Sequence, residues 1–367
     1  MSGASERRAV IAPRRRDAAA LSRRLARRSP SLTRRRPARP RRSACVRLGY
    51  FRDDFVHLFV RRPARRPPLI NRGYWSRWAA LRELVAAFLA ATAAAPAQVL
   101  SLGAGFDTAP FQLAAEGLLP PAAAWVEVDF TDVTRRKAAV LAAAPAPRAA
   151  LLGPGAAYGE CSVDAARGTA AIGRYRLQPA NLRDLVSLEA ALAAADFDCA
   201  APTLVLAECV LVYMPAADGD ALLRWLAGRL PAAVVLLYDP LNPGDAFARQ
   251  MAINIEARGA SLAGAAASAP ALAGRLRAAG WRRAAARRMD EAHARCVPAA
   301  ARRAAEALEP LDEFEEFALL QQHYALALGV NDAGAAGAPL RAFDFPEHAP
   351  GPAVPPPPPF RVPPPRV

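Results

Sequence analysis

Two glycines, Gly103 and Gly105, close an apolar run in Q-V-L-S-L-G-A-G-F-D-T, residues 98–108. A strand running straight into Gly-x-Gly lets a ligand approach the backbone where a side chain would collide, and it permits dihedrals that only glycine adopts cheaply. A tight strand-to-helix turn with no ligand would use the same residues. The next apolar run, W-V-E-V-D-F, ends in Asp129, 26 residues after Gly103. A carboxylate at the tip of a second strand can accept both hydroxyls of a ribose lying across the sheet edge. Glu127 shares a strand face with Asp129 but sits farther from that edge, where it can equally support the loop. The position three after Gly105 is Thr108, so the third glycine of a dinucleotide site is missing. One nucleoside without a pyrophosphate fits better, which favours S-adenosylmethionine over NAD.

Residues placed this way need strands that share one carboxyl edge. Apolar runs bounded by turn residues alternate with longer amphipathic segments, the pattern of a mainly parallel sheet covered by helices. Strands are expected over 98–102, 125–129, 175–177, 203–209 and 234–238, and helices over 74–91, 132–143, 183–195, 216–229 and 244–258. Residues 281–290 and 322–329 read as a final strand pair, and 302–320 as one helix.

The net charge of +15 points first to nucleic acid or an anionic membrane. Residues 1–47 hold sixteen arginines, no lysine and two acids, Glu6 and Asp17, so +14 of the +15 lies there. The remaining body is close to neutral. Residues 1–46 are therefore expected to be a disordered Arg-rich arm, either a transit peptide or a solvated tail. The body is expected over 47–332, and 333–367, with its run Pro355–Pro359, as a disordered Pro-rich tail. A binder of nucleic acid or a membrane surface through the arm is the non-enzymatic alternative, but the arm lacks the interleaved aromatics of single-strand binders. Lys137 is the single lysine among 48 basic residues. Five widely spaced cysteines without a C-x-x-C pair suggest thiols in a cytoplasmic setting and no metal site. The longest apolar stretch, near 79–102, is interrupted by Arg82, Glu83, Pro96 and Gln98, too weak for a bilayer span.

Six strings then agree in order: L-G-Y-F-R-D-D-F (48–55), I-N-R-G-Y-W-S-R (70–77), L-G-A-G-F-D-T (102–108), E-V-D-F (127–130), N-L-R-D-L (181–185) and A-E-C-V-L-V-Y-M (207–214). With the late L-D-E-F-E-E (311–316) and H-Y-A-L-A (323–327), they resemble the leucine carboxyl methyltransferases. The resemblance implies a Rossmann-like α/β class I S-adenosylmethionine-dependent methyltransferase, with a seven-stranded, mainly parallel sheet whose last strand is antiparallel. It implies methylation of the C-terminal leucine carboxylate of the type 2A protein phosphatase catalytic subunit. It also places cofactor contacts on Arg77, Gly103, Gly105, Asp129, Asn181, Leu182 and Glu208, with Arg42 standing where the family has lysine and Asn181 where it has aspartate. The related carboxyl methyltransferase of tRNA wybutosine biosynthesis shares these motifs and is the enzymatic alternative.

Each position also has a physical account. Glu208 is an acid inside an apolar run, suited to a neighbouring sulfonium and ammonium. Arg77 can hold a carboxylate through two donors, or be a solvated helix arginine. Asn181 and Leu182 can take an adenine edge and face, or Asn181 can cap the following helix. Methyl transfer from a sulfonium to a carboxylate of pKa ~3.5 needs no general base, so positioning and water exclusion carry the catalysis. Arg72 and Tyr213 are the candidates for orienting the substrate carboxylate, with a packed aromatic as the alternative role of Tyr213. A monomer acting on the phosphatase tail, with neither nucleic acid nor membrane as partner, is the expected arrangement.

Overall fold

The computed structural model describes residues 39–60, 65–153 and 161–348. Most of the expected arm, and of the tail with its proline run, lies outside these residues.

Among the described residues nine strands build one sheet: β1 (Gln98–Leu102), β2 (Ala124–Asp129), β3 (Cys161–Asp164), β4 (Thr169–Ile172), β5 (Tyr175–Pro179), β6 (Thr203–Glu208), β7 (Ala232–Pro240), β8 (Arg283–Arg288) and β9 (Tyr324–Asp332). Their order is β3-β4-β5-β2-β1-β6-β7-β9-β8. Strands β5, β2, β1, β6 and β7 are parallel, and β9 runs antiparallel between β7 and β8. The seven expected strands are present and the last is antiparallel. The hairpin β3–β4, antiparallel to β5, extends the edge beyond the expected count.

The chain leaves β1 toward β2 on one side and returns to β6 on the other, so the strand order reverses beside β1. Ligands of open α/β sheets bind outside the carboxyl ends of strands at such a reversal. Every residue of β1 and β7 is buried, because helices cover both faces. One face packs Val99, Trp125, Leu204 and Leu206 against the long helix Pro68–Ala91, which presents Leu81, Leu84, Val85 and Phe88. The other packs Leu100, Val126, Val205 and Val235 against the helices Leu185–Ala194, Ala216–Arg229 and Ala269–Ala278.

Three boundaries differ from the sequence reading. A helix spans Arg39–Arg47, inside the expected arm, with Arg42, Ser43, Ala44 and Cys45 buried. At the other end, Leu340, Phe343 and Phe345 lie in the core, so ordered contacts extend into the expected tail. The single helix expected over 302–320 is two, Ala299–Glu306 and Phe314–Gln322. Pro310 lies between them, and proline cannot continue a helix because it lacks the backbone donor.

Candidate functional site

Register assembles the site. Leu102 pairs with Val128 on one side and Ala207 on the other, so Gly103, Asp129 and Glu208 emerge level on three neighbouring strands. Gly103 adopts φ +61°, and a Cβ there would stand 2.8 Å from a Val210 methyl. Gly105 adopts φ +58°, and the nearest atom to its Cβ position is the Gly103 carbonyl at 4.0 Å, which leaves room for close approach of a ligand. Asp129 holds this loop. One carboxylate oxygen accepts from the Gly105 amide at 2.7 Å, the other from the Phe130 amide at 2.7 Å.

Beside that edge lies a crevice between the sheet and the helix Pro68–Ala91. Its floor is apolar, with Leu81, Val85, Leu113, Trp125 and Leu206, and its charged residues include Arg42, Arg77, Asp107 and Glu208. Arg77 Nε donates to Glu208 at 2.8 Å, and the guanidinium lies 4.5 Å from the centre of the Tyr238 ring. Burial works against the charge of Arg77, but Glu208 outweighs it and holds the guanidinium well above its ordinary value. Arg42 donates to Asp53 at 2.6 Å and also pairs with Asp107. Burial opposes the charge of Asp107, yet Arg42 and Lys137 prevail and keep its carboxyl below the usual range. Asp53 accepts further from Thr108 Oγ1 at 2.6 Å and from the amides of Phe55 and Val56 at 3.0 Å. The string 48–55 is thereby tied to the glycine loop.

Behind the loop, Lys137 and Glu127 form an ion pair with both side chains fully enclosed. Lys137 also donates to the Asp107 carbonyl at 2.8 Å, and Tyr175 donates to Glu127 at 2.7 Å. Glu127 supports the loop from beneath. Past Glu208 the chain turns sharply, because Cys209 takes φ +54°, a left-handed conformation that is strained for a residue with a side chain. Its amide donates to the Tyr238 carbonyl at 2.7 Å. Asp239 lies on the opposite sheet face, where burial pushes its carboxyl up to about 7 against the opposing pull of Arg275 and the nearby backbone of Val212 and Val210.

The family described as Leucine carboxyl methyltransferase matches residues 38–227. The chain is 42% identical over 293 residues to Leucine carboxyl methyltransferase 1 homolog of Arabidopsis thaliana, covering 79% of this chain and 86% of that protein. The chain belongs to the leucine carboxyl methyltransferase family. The Bos taurus Leucine carboxyl methyltransferase 1 is 35% identical over 284 residues, covering 77% of this chain and 83% of its own. The Homo sapiens tRNA wybutosine-synthesizing protein 4 is 40% identical over 293 residues, 77% of this chain and 41% of that protein. Like its family, the protein is an S-adenosylmethionine-dependent carboxyl methyltransferase. The chain's residues suit that cofactor: an open glycine backbone, a carboxylate beside it, and adjoining acid and base that match a zwitterionic amino-acid end.

The methyltransferase edge gathers most of the residues named from sequence. Gly103, Gly105, Asp129, Arg77, Glu208 and Arg42 converge there, Arg42 from a helix rather than an extended arm. Asn181 and Leu182 follow β5 beside Asp129, whose carbonyl accepts from the Ala180 amide at 2.9 Å. Leu182 is buried, and exposed Asn181 accepts from the Arg183 amide at 3.1 Å. The cap of the helix Leu185–Ala194 is Asp184, so Asn181 does not serve that purpose. Tyr213 ends a 3-10 turn, Leu211–Tyr213, directly after the strained Cys209. Arg72 is the exception. It is buried away from the crevice lining and donates to the carbonyls of Glu306 at 3.3 Å and Glu309 at 2.9 Å, fastening the long helix to a turn. Sequence reading did not nominate Asp107, Asp53 or Lys137. The first two lie inside motif strings, and Lys137 is the lone lysine in an arginine-biased chain.

Proposed function

We propose that this methyltransferase esterifies the C-terminal leucine α-carboxylate of the type 2A protein phosphatase catalytic subunit. The observation that carries the reading is the Arg77–Glu208 pair, level with Gly103 and Asp129 at the mouth of a crevice with an apolar floor. The similarity to Leucine carboxyl methyltransferase 1 proteins supports the substrate. When bound, S-adenosylmethionine supplies an electrophilic methyl group on a sulfonium. In this reading Asp129 accepts from ribose hydroxyls while its other contact keeps the glycine loop closed. Asn181 and Leu182 take the adenine, Glu208 the ammonium, and Arg77 with Arg42 the carboxylate of the amino-acid end. Tyr213 orients the incoming leucine carboxylate.

No residue is asked to remove a proton, because a carboxylate of pKa ~3.5 is already ionised at neutral pH. The chain contributes position and dryness. The apolar floor excludes water, and an anion and cation that neutralise one another react more readily in such surroundings. The reading is of a cytoplasmic protein that meets the phosphatase as a monomer. Methylation of a tRNA wybutosine precursor is the second reading, favoured by the 40% identity to the Homo sapiens protein. Methyl transfer measured side by side on the phosphatase catalytic subunit and on bulk tRNA separates them. Incorporation into the phosphatase alone is expected, and incorporation into tRNA alone would overturn the proposal.

A further inference from the structure

On the outer side of the long helix lies a groove of about 530 Å³. Four aromatic side chains, Tyr50, Phe51, Trp75 and Trp78, line it together with the half-exposed Leu118 and Leu308. Phe51 stacks on Trp78 at 4.2 Å; Tyr50, Phe51 and Trp75 are buried at the groove's base, and Trp78 is half-buried. Trp78 and Arg82 line both this groove and the crevice described above.

The described chain leads to the rim of this groove. Phe343 packs edge-on against Phe88, with ring centres 6.3 Å apart, and Arg283 donates to the carbonyls of Leu340 and Phe343. Arg287 pairs with Glu347. The amide of His348 donates to the Arg295 carbonyl at 2.8 Å, two residues before Val297, and its imidazole lies 3.7 Å from Glu83. Both Val297 and Glu83 line the groove. His348 therefore stands at that rim, and ten of the nineteen residues that follow it in sequence, 349–367, are proline.

We propose that the aromatic groove is the docking site of this chain's own Pro-rich segment, with Pro355–Phe360 as the bound core. Proline runs prefer the polyproline II helix, which has little conformational entropy to lose, and aromatic-lined grooves are its recurring receptors. Six residues, 349–354, separate His348 from Pro355 and span at most about 20 Å when extended at ~3.1 Å per residue, enough to reach across a groove that begins at the tether. Tethering raises the local concentration of the segment, so a weak contact becomes a populated one.

Hydrogen exchange by mass spectrometry on the full chain tests this, with the amides of Phe360, Arg361 and Val362 as reporters. In the wild type they should exchange roughly tenfold more slowly than in a free peptide of residues 349–367. Two groove substitutions at exposed positions, Leu308→Glu and Ala304→Glu, should each return them to the free-peptide rate while the melting temperature holds. Replacing Pro355–Pro359 by serines should do the same. Free-peptide rates in the wild type would overturn the proposal, as would protection that survives both groove substitutions. Protection that disappears on dilution would equally overturn it, because the segment would then belong to a second copy.

Discussion

Replacing Lys137 by methionine should destabilise the fold by about 3–5 kcal/mol, the usual loss when one partner of a buried ion pair is removed. Glu127 would be left enclosed, with one oxygen accepting from Tyr175 and the other unpartnered among the described residues. Burial already holds its carboxyl above the ordinary value, against the opposing pull of Lys137 and Tyr175. At about 2–4 °C per kcal/mol for a body of this size, the melting midpoint should fall by roughly 6–20 °C. The double variant Lys137→Met/Glu127→Gln should recover most of the loss, since a neutral amide can stay beside Tyr175 without a counter-charge. It should not recover cofactor affinity fully. The contact from Lys137 to the Asp107 carbonyl at 2.8 Å is absent in both variants. Losing that contact to the loop should weaken S-adenosylmethionine binding by about 1 kcal/mol, near fivefold in Kd. Urea unfolding followed by circular dichroism gives the stabilities, and calorimetric titration gives the affinity. A single-variant loss below about 1 kcal/mol, or a double variant as unstable as the single, would refute the reasoning.

In the proposed cofactor pose, Asp129→Ala should weaken S-adenosylmethionine binding by about 1–3 kcal/mol, because it would remove charge-assisted bonds to the ribose and free the Gly105 amide; an unchanged Kd in a folded variant would remove Asp129 from the site. Gly103→Ala should cost about 1–3 kcal/mol of stability, from the positive φ and from crowding of Val210, and a melting curve matching the wild type would show that the loop relaxes. Asp239 keeps a proton in the folded state that the unfolded chain gives up, so its contribution is complete below pH 3.8 and is lost as pH rises through about 7. Asp239→Asn should therefore gain on the wild type between those values, by up to ~1.4 kcal/mol per pH unit, as read from urea midpoints at pH 5 and 8; a parallel pH dependence in the two proteins would contradict it. The rate of methyl transfer should be nearly flat from pH ~6 to ~8, because the carboxylate nucleophile is ionised throughout, whereas a steep rise through neutrality would point to a nucleophile that needs a base.

The elements carrying the candidate site residues were legible because they are strongly patterned. Q-V-L-S-L and W-V-E-V-D are unbroken apolar runs stopped by glycine or acid, and they fold as β1 and β2 with those stops at the carboxyl edge. The hairpin β3–β4 was missed because C-S-V-D and T-A-A-I are four-residue strands with one large apolar side chain each, Val163 and Ile172, ordered by pairing with β5 rather than by their own periodicity. The helix Arg39–Arg47 was hidden by its charges, since Arg42 is buried only through Asp53 and Asp107, distant in sequence. Reading 302–320 as one helix gave too little weight to Pro310. At the candidate site, residue types that suit a charged ligand can be picked out one by one, and the fold brings Gly103, Asp129, Arg77 and Glu208 to one sheet edge. The use of Arg72 could not be, because a buried arginine bound to the carbonyls of a turn looks the same in sequence as one facing a substrate.

The most direct test of carboxyl methylation compares two forms of one phosphatase catalytic subunit, ending in a free leucine carboxylate or in leucinamide. Amidation deletes the anionic nucleophile and leaves the rest of the surface intact. With labelled S-adenosylmethionine, mass spectrometry should find one base-labile methyl ester on the C-terminal residue of the free acid and none on the amide. Equal methylation of both forms, or a methyl group at any other position, would contradict the account.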